Sequence, residues 1–189
     1  MVAIGGGLPA GAKRAADSIV RSGIDAIVSF GLAGGLDPAL PAGTLVIPAA
    51  LRLANGQTVQ ADSSLVTRLG GPTHRLMLSA EAPVAISAEK AALFSETGAV
   101  ALDLESGAVA DAARFRRLPW AMVRAICDPA GRDLPEAALI GFDPYAGRVA
   151  PLRLFRSILR RPAQIAALMR LARDAGAAQR ALARFRLAS

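Results

Sequence analysis

The run Trp120-Ala121-Met122-Val123-Arg124-Ala125-Ile126-Cys127 is almost entirely apolar and leads into Asp128-Pro129. An apolar run of this length, without alternation between apolar and polar residues, is typical of a central strand that is covered on both faces of a sheet. Other strand-like runs lie along the chain, and helical patterns separate them. This alternation predicts an α/β protein rather than a sandwich or a helical bundle.

The predicted elements can be placed along the chain. Strands are expected over residues 2–7, 26–30, 44–48, 75–79, 100–102 and 120–127. Helices are expected over residues 12–22, from residue 87 onwards, over 106–115, over 151–160, and from residue 162 onwards, where proline suits a first helical turn. Residues 129–151 are expected to be a long irregular connection, and the glycine-rich residues 31–35 a loop.

The bulk composition predicts one folded domain. The chain has 189 residues, of which 53% are hydrophobic and 20% charged, so it can bury a sizeable core. We expect residues 1–150 to form the α/β domain and residues 151–189 to form a basic helical extension packed on it.

Several classes of site and location are excluded by residue usage. With one cysteine, Cys127, and one histidine, His74, we expect no internal disulfide and no metal site. We find neither the pattern of a secretory signal nor an apolar stretch of about 18 residues that could span a membrane. The sequence therefore predicts a cytoplasmic protein.

The net charge of +7 is concentrated near the end of the chain. Residues 148–189 carry ten arginines and one acid, Asp174, whereas the preceding residues are nearly neutral. A basic segment of this kind predicts an anionic partner, and the scarcity of aromatic residues argues against nucleic acid. Two interpretations of the segment stay open. It is either a terminal helix packed on the sheet with a solvated arginine face, or a basic surface resting on anionic lipid at the inner membrane face.

Two acidic residues, Glu105 and Asp128, follow strand-like apolar runs. Cleaving a ribose–purine bond requires an acid for the departing base and electron-rich groups for the cationic sugar. Asp128 follows an apolar strand, an environment that should raise its pKa, so we expect it to be the general acid. Glu105 is expected to accept hydrogen bonds from ribose hydroxyls.

Structural roles for these residues are the alternative. Glu105 could cap the helix that follows it, and Asp128-Pro129 could simply form a turn. The loop Gly31-Leu32-Ala33-Gly34-Gly35 favours the catalytic interpretation, because glycines let backbone N–H groups approach a ligand. The catalytic interpretation requires that Glu105 and Asp128 face one cavity covered by this loop.

Four segments in this order, residues 28–47, 76–84, 101–110 and 119–128, resemble the purine nucleoside phosphorylase and nucleosidase superfamily. The resemblance implies a three-layer sandwich with a central mixed sheet, and a chain that begins at the family's second strand, so that the first strand is missing. It also implies N-glycosidic cleavage by Asp128 and Glu105. The implied substrate-binding residues are Gly31, Leu32, Ala33, Gly34, Glu81, Ala82, Pro83, Asp103 and Leu104.

Further matches resemble the hopanoid-associated phosphorylase branch, also called adenosylhopane nucleosidase. They include Glu81-Ala82-Pro83-Val84-Ala85, Cys127-Asp128-Pro129-Ala130 and the tail Leu159-Arg160-Arg161-Pro162. This resemblance implies release of adenine from adenosylhopane in hopanoid lipid synthesis, without a cofactor but with phosphate as a candidate co-substrate. It also implies a homo-oligomer and peripheral contact with membrane.

Three alternatives stay open beside this hypothesis. The chain could be a nucleosidase for soluble compounds such as methylthioadenosine or S-adenosylhomocysteine, or a non-catalytic nucleoside-binding relative. The stretch Gly5-Gly6-Gly7-Leu8-Pro9-Ala10 also fits a dinucleotide fingerprint. Asp25, however, precedes the next strand, whereas the ribose-binding acid of such sites follows it.

Overall fold

The computed structural model describes residues 1–143, 148–149, 161 and 164–187. Six helices lie in this part of the chain: α1 (Pro9–Val20), α2 (Ser63–Arg68), α3 (Ser87–Thr97), α4 (Ser106–Phe115), α5 (Glu136–Gly141) and α6 (Ile165–Arg184). The strands of the large sheet are β1 (Ile27–Gly35), β2 (Leu45–Val46), β3 (Pro48–Arg52), β4 (Thr58–Gln60), β5 (His74–Ser79), β6 (Ala101–Asp103) and β7 (Trp120–Asp128). Two further strands, β8 (Phe142–Asp143) and β9 (Arg148–Val149), pair with each other.

The seven strands form one mixed sheet in the order β2-β7-β1-β6-β5-β3-β4. β1 runs parallel to β7 and antiparallel to β6, so it lies between the two strands that precede the predicted acids. β5 is parallel to both β3 and β6, and β4 closes the edge as an antiparallel partner of β3.

Side chains of β7 pack on both faces of the sheet. Trp120, Met122 and Ile126 join a core with residues of α1 and α4. Ala121 and Val123 join a second core, with Val66 of α2 on the opposite face, and Leu182 and Phe185 pack against it. The sheet is therefore sandwiched between helical layers, which confirms the predicted three-layer α/β fold and the doubly covered central strand.

Four local predictions need correction. Residues 2–7 form no strand, and Val2 and Ile4 are exposed. Residues 31–35 are not a loop but the second half of β1, because β7 and β6 pair with it on either side. The expected strand at residues 44–48 is replaced by two, β2 and β3. A helix, α5, begins inside the expected irregular connection. The predicted helix over residues 151–160 lies outside the described residues.

Candidate active site

The two acidic motifs come together across β1. Gly34 pairs with Asp128 on one side and with Leu102 on the other. Neighbouring strands lie about 5 Å apart, so the two strands flanking β1 are roughly 10 Å from each other. Glu105 follows β6 after one intervening residue, Leu104. The two motifs therefore flank β1, but because β6 is antiparallel to β1, Asp128 lies beside the carboxyl end of β1 and Glu105 lies farther toward its middle.

A bulge sets the position of Asp128. Ala33 pairs with Ile126 whereas Gly34 pairs with Asp128, so Cys127 is skipped in the pairing with β1. Bulges of this kind redirect the side chains beside them. Burial raises the pKa of the Cys127 thiol to about 11, which makes it a poor nucleophile at neutral pH.

Asp128 is 8% exposed and forms an ion pair with Lys90 of α3, Nζ to Oδ2 2.6 Å. Burial raises the pKa of Asp128, while the hydrogen bond and the charge of Lys90 act in the opposite direction and do not cancel that rise. The net direction is upward, as expected for a carboxyl group that acts as a general acid.

The segment after β7 is tied to two helices. Backbone carbonyls of Pro129 and Arg132 accept from the ammonium of Lys90 at 3.3 and 3.1 Å. The carboxylate of Asp133 accepts from the backbone N–H of Ser87 at the start of α3, 2.7 Å. Arg132 also pairs with Asp174 of α6 at 2.6 Å. Asp128 therefore precedes a segment whose position is fixed from α3 and α6.

Asp103 is taken up by a buried network rather than directed to open space. Its carboxylate accepts from Arg124 Nε at 2.6 Å and from the Ser106 hydroxyl at 2.7 Å. Arg124, 1% exposed, also donates to the hydroxyls of Ser29 and Ser106, at 2.6 and 2.9 Å. Asp103 further accepts from the backbone N–H of Ser106, so it caps α4. Through these bonds Asp103 holds the side chain of Arg124 and the start of α4 in place.

Glu105 does not cap α4, although it lies at the helix start. Its Oε1 instead accepts from the backbone N–H of Gly7 at 3.0 Å. A Cβ on Gly5 would lie 2.3 Å from the same oxygen, so this approach requires glycine at position 5. The segment before α1 therefore lies directly against Glu105.

The glycines of β1 serve packing inside the sheet. A Cβ on Gly31 would lie 3.0 Å from Arg124 Nη1, and one on Gly35 would lie 3.1 Å from Cγ2 of Ile126. Gly31 therefore makes room for the guanidinium group. Leu32 and Gly34 are half-buried and Ala33 is buried. The four predicted binding residues of this stretch, from Gly31 to Gly34, therefore belong to a strand and not to a phosphate-binding loop.

Two cavities lie beside these elements within the described residues. The larger, about 720 Å³, has Ser79, Glu81 and Leu104 in its wall, together with residues of α1 and α4. The smaller, about 290 Å³, contains Asp128 between the segment after β7 and α6. Asp128 lines the smaller cavity and Glu105 lines neither, so a cavity shared by Glu105 and Asp128 stays a prediction. Ala82 and Pro83 are exposed beside Glu81.

Two charged residues of this region were missed as site residues by sequence reasoning. Lys90 belongs to α3, and a lysine in a helix is expected to reach solvent. Arg124 interrupts the apolar run of β7, and this interruption was the available signal: a charge in a doubly covered strand needs a buried partner. Nothing in the sequence alone identifies that partner as Asp103, 21 residues earlier.

The described part of the chain contains no cluster of metal-ligating side chains and no membrane-spanning helix. No group of three or more His, Cys, Asp or Glu side chains there could hold a metal ion. Among the same residues, no helix has both the length and the apolar character needed to cross a bilayer.

Comparison with solved structures defines the class of fold. The 5'-methylthioadenosine/S-adenosylhomocysteine nucleosidase of Neisseria meningitidis, in complex with methylthio-immucillin-A, superposes with a TM-score of 0.63 at 22% identity over 83% of this chain and 79% of that chain. The corresponding enzyme of Colwellia psychrerythraea, in complex with adenine, gives 0.63 at 20% identity over 82% and 75%. Futalosine hydrolase of Helicobacter pylori gives 0.60 at 16% identity over 82% and 76%. The fold is that of the nucleosidases.

The sequence comparison is more specific about family. The profile of the phosphorylase superfamily matches residues 2–148, and the chain belongs to that superfamily. No curated protein sequence is significantly similar to the chain. The predicted class, an enzyme of the nucleoside phosphorylase and nucleosidase superfamily, is thereby confirmed.

Proposed function

We propose that the protein cleaves the N-glycosidic bond of an adenine nucleoside, with Asp128 as the general acid. The observation that carries this proposal is a buried carboxylate at the end of the central strand, with a raised pKa, in a member of the phosphorylase superfamily. A carboxyl group whose pKa is raised by burial holds its proton to a higher pH than a solvated one, which suits it to protonating a leaving group.

The proposed step couples one proton transfer to the cleavage of the glycosidic bond. The O–H bond of Asp128 breaks and its proton passes to a ring nitrogen of the departing base, which takes the electron pair of the glycosidic bond. A lone pair of water or phosphate forms the new bond to the anomeric carbon of the sugar, and an attacking water releases one proton, which replaces the proton that Asp128 gave up. Glu105 accepts hydrogen bonds from ribose hydroxyls through Oε2 while Oε1 is held by Gly7.

For the substrate we propose adenosylhopane, the adenine nucleoside of a hopanoid lipid. The motif resemblance of Glu81-Ala82-Pro83 and of Cys127-Asp128-Pro129 supports this choice. The arginine-rich face of α6 would hold the protein at an anionic membrane surface where such a substrate resides.

A second candidate is a soluble nucleoside such as methylthioadenosine or S-adenosylhomocysteine. The likeness to nucleosidases for these two compounds, including one solved with adenine, favours it. Both candidates share the adenine and the chemistry at Asp128, and they differ only in the substituent carried by the ribose.

The first test is adenine release by the protein and by Asp128→Asn, measured by chromatography with and without phosphate. The amide is isosteric but cannot supply the proton, so turnover should fall by about 10² to 10⁴ while the fold is kept. Asp25→Asn, at an exposed position, is the matched control and should keep full activity. Full activity in Asp128→Asn would remove Asp128 from the mechanism.

The same assay separates the substrates. Adenosylhopane in detergent and methylthioadenosine in buffer are compared at equal concentrations. A higher kcat/KM on adenosylhopane supports the lipid assignment, and a preference for methylthioadenosine overturns it. Dependence of the rate on phosphate distinguishes phosphorolysis from hydrolysis. Adenine binding without release from either compound would indicate the non-catalytic relative.

A further inference from the structure

Lys90 lies within α3, yet its side chain is 1% exposed. Its ammonium group has three acceptors around it: Asp128 Oδ2 at 2.6 Å, the Arg132 carbonyl at 3.1 Å and the Pro129 carbonyl at 3.3 Å. An ammonium carries three N–H donors, so each donor can be used, whereas a neutral amine would leave one acceptor without a donor. Lys90 is therefore held as a cation against Asp128.

Other charged groups face Asp128 from the elements packed around it. Arg132 lies in the following segment and Asp174 lies on α6, and these two form an ion pair with each other at 2.6 Å. Their charges act on the pKa of Asp128 in opposite directions, Arg132 lowering it and Asp174 raising it. The neighbouring Cys127 is a neutral thiol near pH 7, because burial raises its pKa to about 11. Arg170 of α6 lines the same cavity as Asp128, but Lys90 is the cation in direct contact with the carboxylate.

We propose that Lys90 is a positioning residue for N-glycosidic cleavage, which holds the carboxyl group of Asp128 in place and stabilises the carboxylate left behind when the proton passes to the base. This inference rests on the function proposed above. It assigns α3 a part in the reaction, since the ammonium of Lys90 bonds to Asp128 and to the backbone that follows it.

The physical reason is the change of charge during the step. Burial disfavours the anion that Asp128 becomes after it gives up its proton, because only 8% of the residue is exposed to water. The ammonium at 2.6 Å supplies that compensation from a fixed position. Its two bonds to backbone carbonyls keep it from turning away. Without Lys90, Asp128 would hold its proton more tightly and release it to the base less readily.

The test measures Asp128 directly, by carbon-13 NMR titration of protein labelled at aspartate carboxyl groups. The resonance is assigned by its loss in Asp128→Asn. In Lys90→Met the titration midpoint should rise by about one to three pH units, because an adjacent opposite charge has been removed. Lys90→Arg keeps the charge and should stay closer to the wild-type midpoint. Lys13→Met, at an exposed position of α1, should leave it unchanged.

Activity gives the second readout. The alkaline limb of the kcat/KM profile should move upward with the NMR midpoint in Lys90→Met, and kcat at pH 7 should fall about tenfold or more. Lys90→Gln keeps two donors for the carbonyls and lacks the charge, so it provides the same comparison if the methionine variant does not fold. A purely structural role for Lys90 would lower the amount of folded enzyme without moving the limb.

The outcomes are distinct. A midpoint that stays unchanged or falls in the neutral variants, or a midpoint in Lys90→Arg that rises as far as theirs, overturns the inference. If the wild-type protein releases no adenine from any nucleoside, the proposed function fails, and with it the role of Lys90 in cleavage. The NMR titration then still decides whether Lys90 stabilises the Asp128 carboxylate.

Discussion

Arg124 places a positive charge inside the sheet, and 1% of this residue is exposed. Its guanidinium group donates hydrogen bonds to Asp103, Ser29 and Ser106. A buried ion pair adds little stability compared with two apolar residues, but removing one partner leaves an uncompensated charge. The network is therefore a point at which one substitution affects both the core and the start of α4.

We predict that Arg124→Met lowers the free energy of unfolding by about 3–5 kcal/mol, because it leaves the Asp103 carboxylate buried without its cation. Urea denaturation followed by circular dichroism measures the change. The double variant Arg124→Met with Asp103→Leu removes both charges and should be more stable than Arg124→Met alone. If Arg124→Met were as stable as the wild type, the ion pair would make no contribution to the free energy of unfolding.

Individual residues differed in how far the sequence could place them. The local motifs identified Asp128 as following a buried strand, because apolar runs and the acids that follow them are adjacent in the chain. The sequence did not identify Lys90 as the partner of Asp128, since 38 residues separate them and only the packing of α3 brings them together. The bulge at Ala33 and Gly34 has no sequence marker, because glycine fits a regular strand, a bulge or a loop.

At the scale of elements, α6 is packed on the sheet through a narrow apolar face. Ala178 is fully buried, and Leu182 and Phe185 contact the core on that face. The ring of Phe185 also lies 5.8 Å from that of Phe30 on β1. The helix contains several arginines, so trypsin reports directly on whether it stays packed.

We predict that Ala178→Asp detaches α6, because an aspartate there would place an unpaired charge against the sheet. Limited trypsin digestion should then cut within residues 170–184 at least tenfold faster than in the wild type. Gln179→Asp puts the same residue one position along, on the exposed side, and should be cut at the wild-type rate. Equal protection of the two variants would mean that Ala178 is not part of the packed face.

Elements with a strong pattern were predicted well and short edge elements were not. α4 was expected over residues 106–115 and forms over that span, because its apolar positions recur at helical spacing. The hairpin of β3 and β4 was missed, although Asn55-Gly56 between them is a turn signal and Gly56 has φ of +85°. Residues 2–7 had strand composition, but composition does not supply a neighbouring strand.

At the scale of the whole molecule, positive charge is collected on the outer face of α6. Arg170, Arg173, Arg180 and Arg184 are all exposed, and exposed Met169 lies among them. Each arginine close to an anionic bilayer contributes about 1 kcal/mol of attraction. A protein with this distribution should meet such a bilayer with α6 foremost.

We predict that glutamine at these four positions reduces binding to vesicles containing anionic lipid by at least tenfold, measured by cosedimentation at low salt. The control replaces four exposed arginines elsewhere, Arg14, Arg68, Arg75 and Arg117, which lowers the net charge equally. It should bind nearly as the wild type does. Equal losses in both variants would mean that net charge, and not the face of α6, determines binding.

The segment after Asp128 is bonded to Lys90 and Ser87 of α3 and to Asp174 of α6. Neither helix can open locally there without breaking bonds to the segment that follows the acid, so these parts should exchange amide hydrogens as one cooperative unit. A ligand that settles at Asp128 would then slow exchange in both helices, including turns that lie beyond its reach.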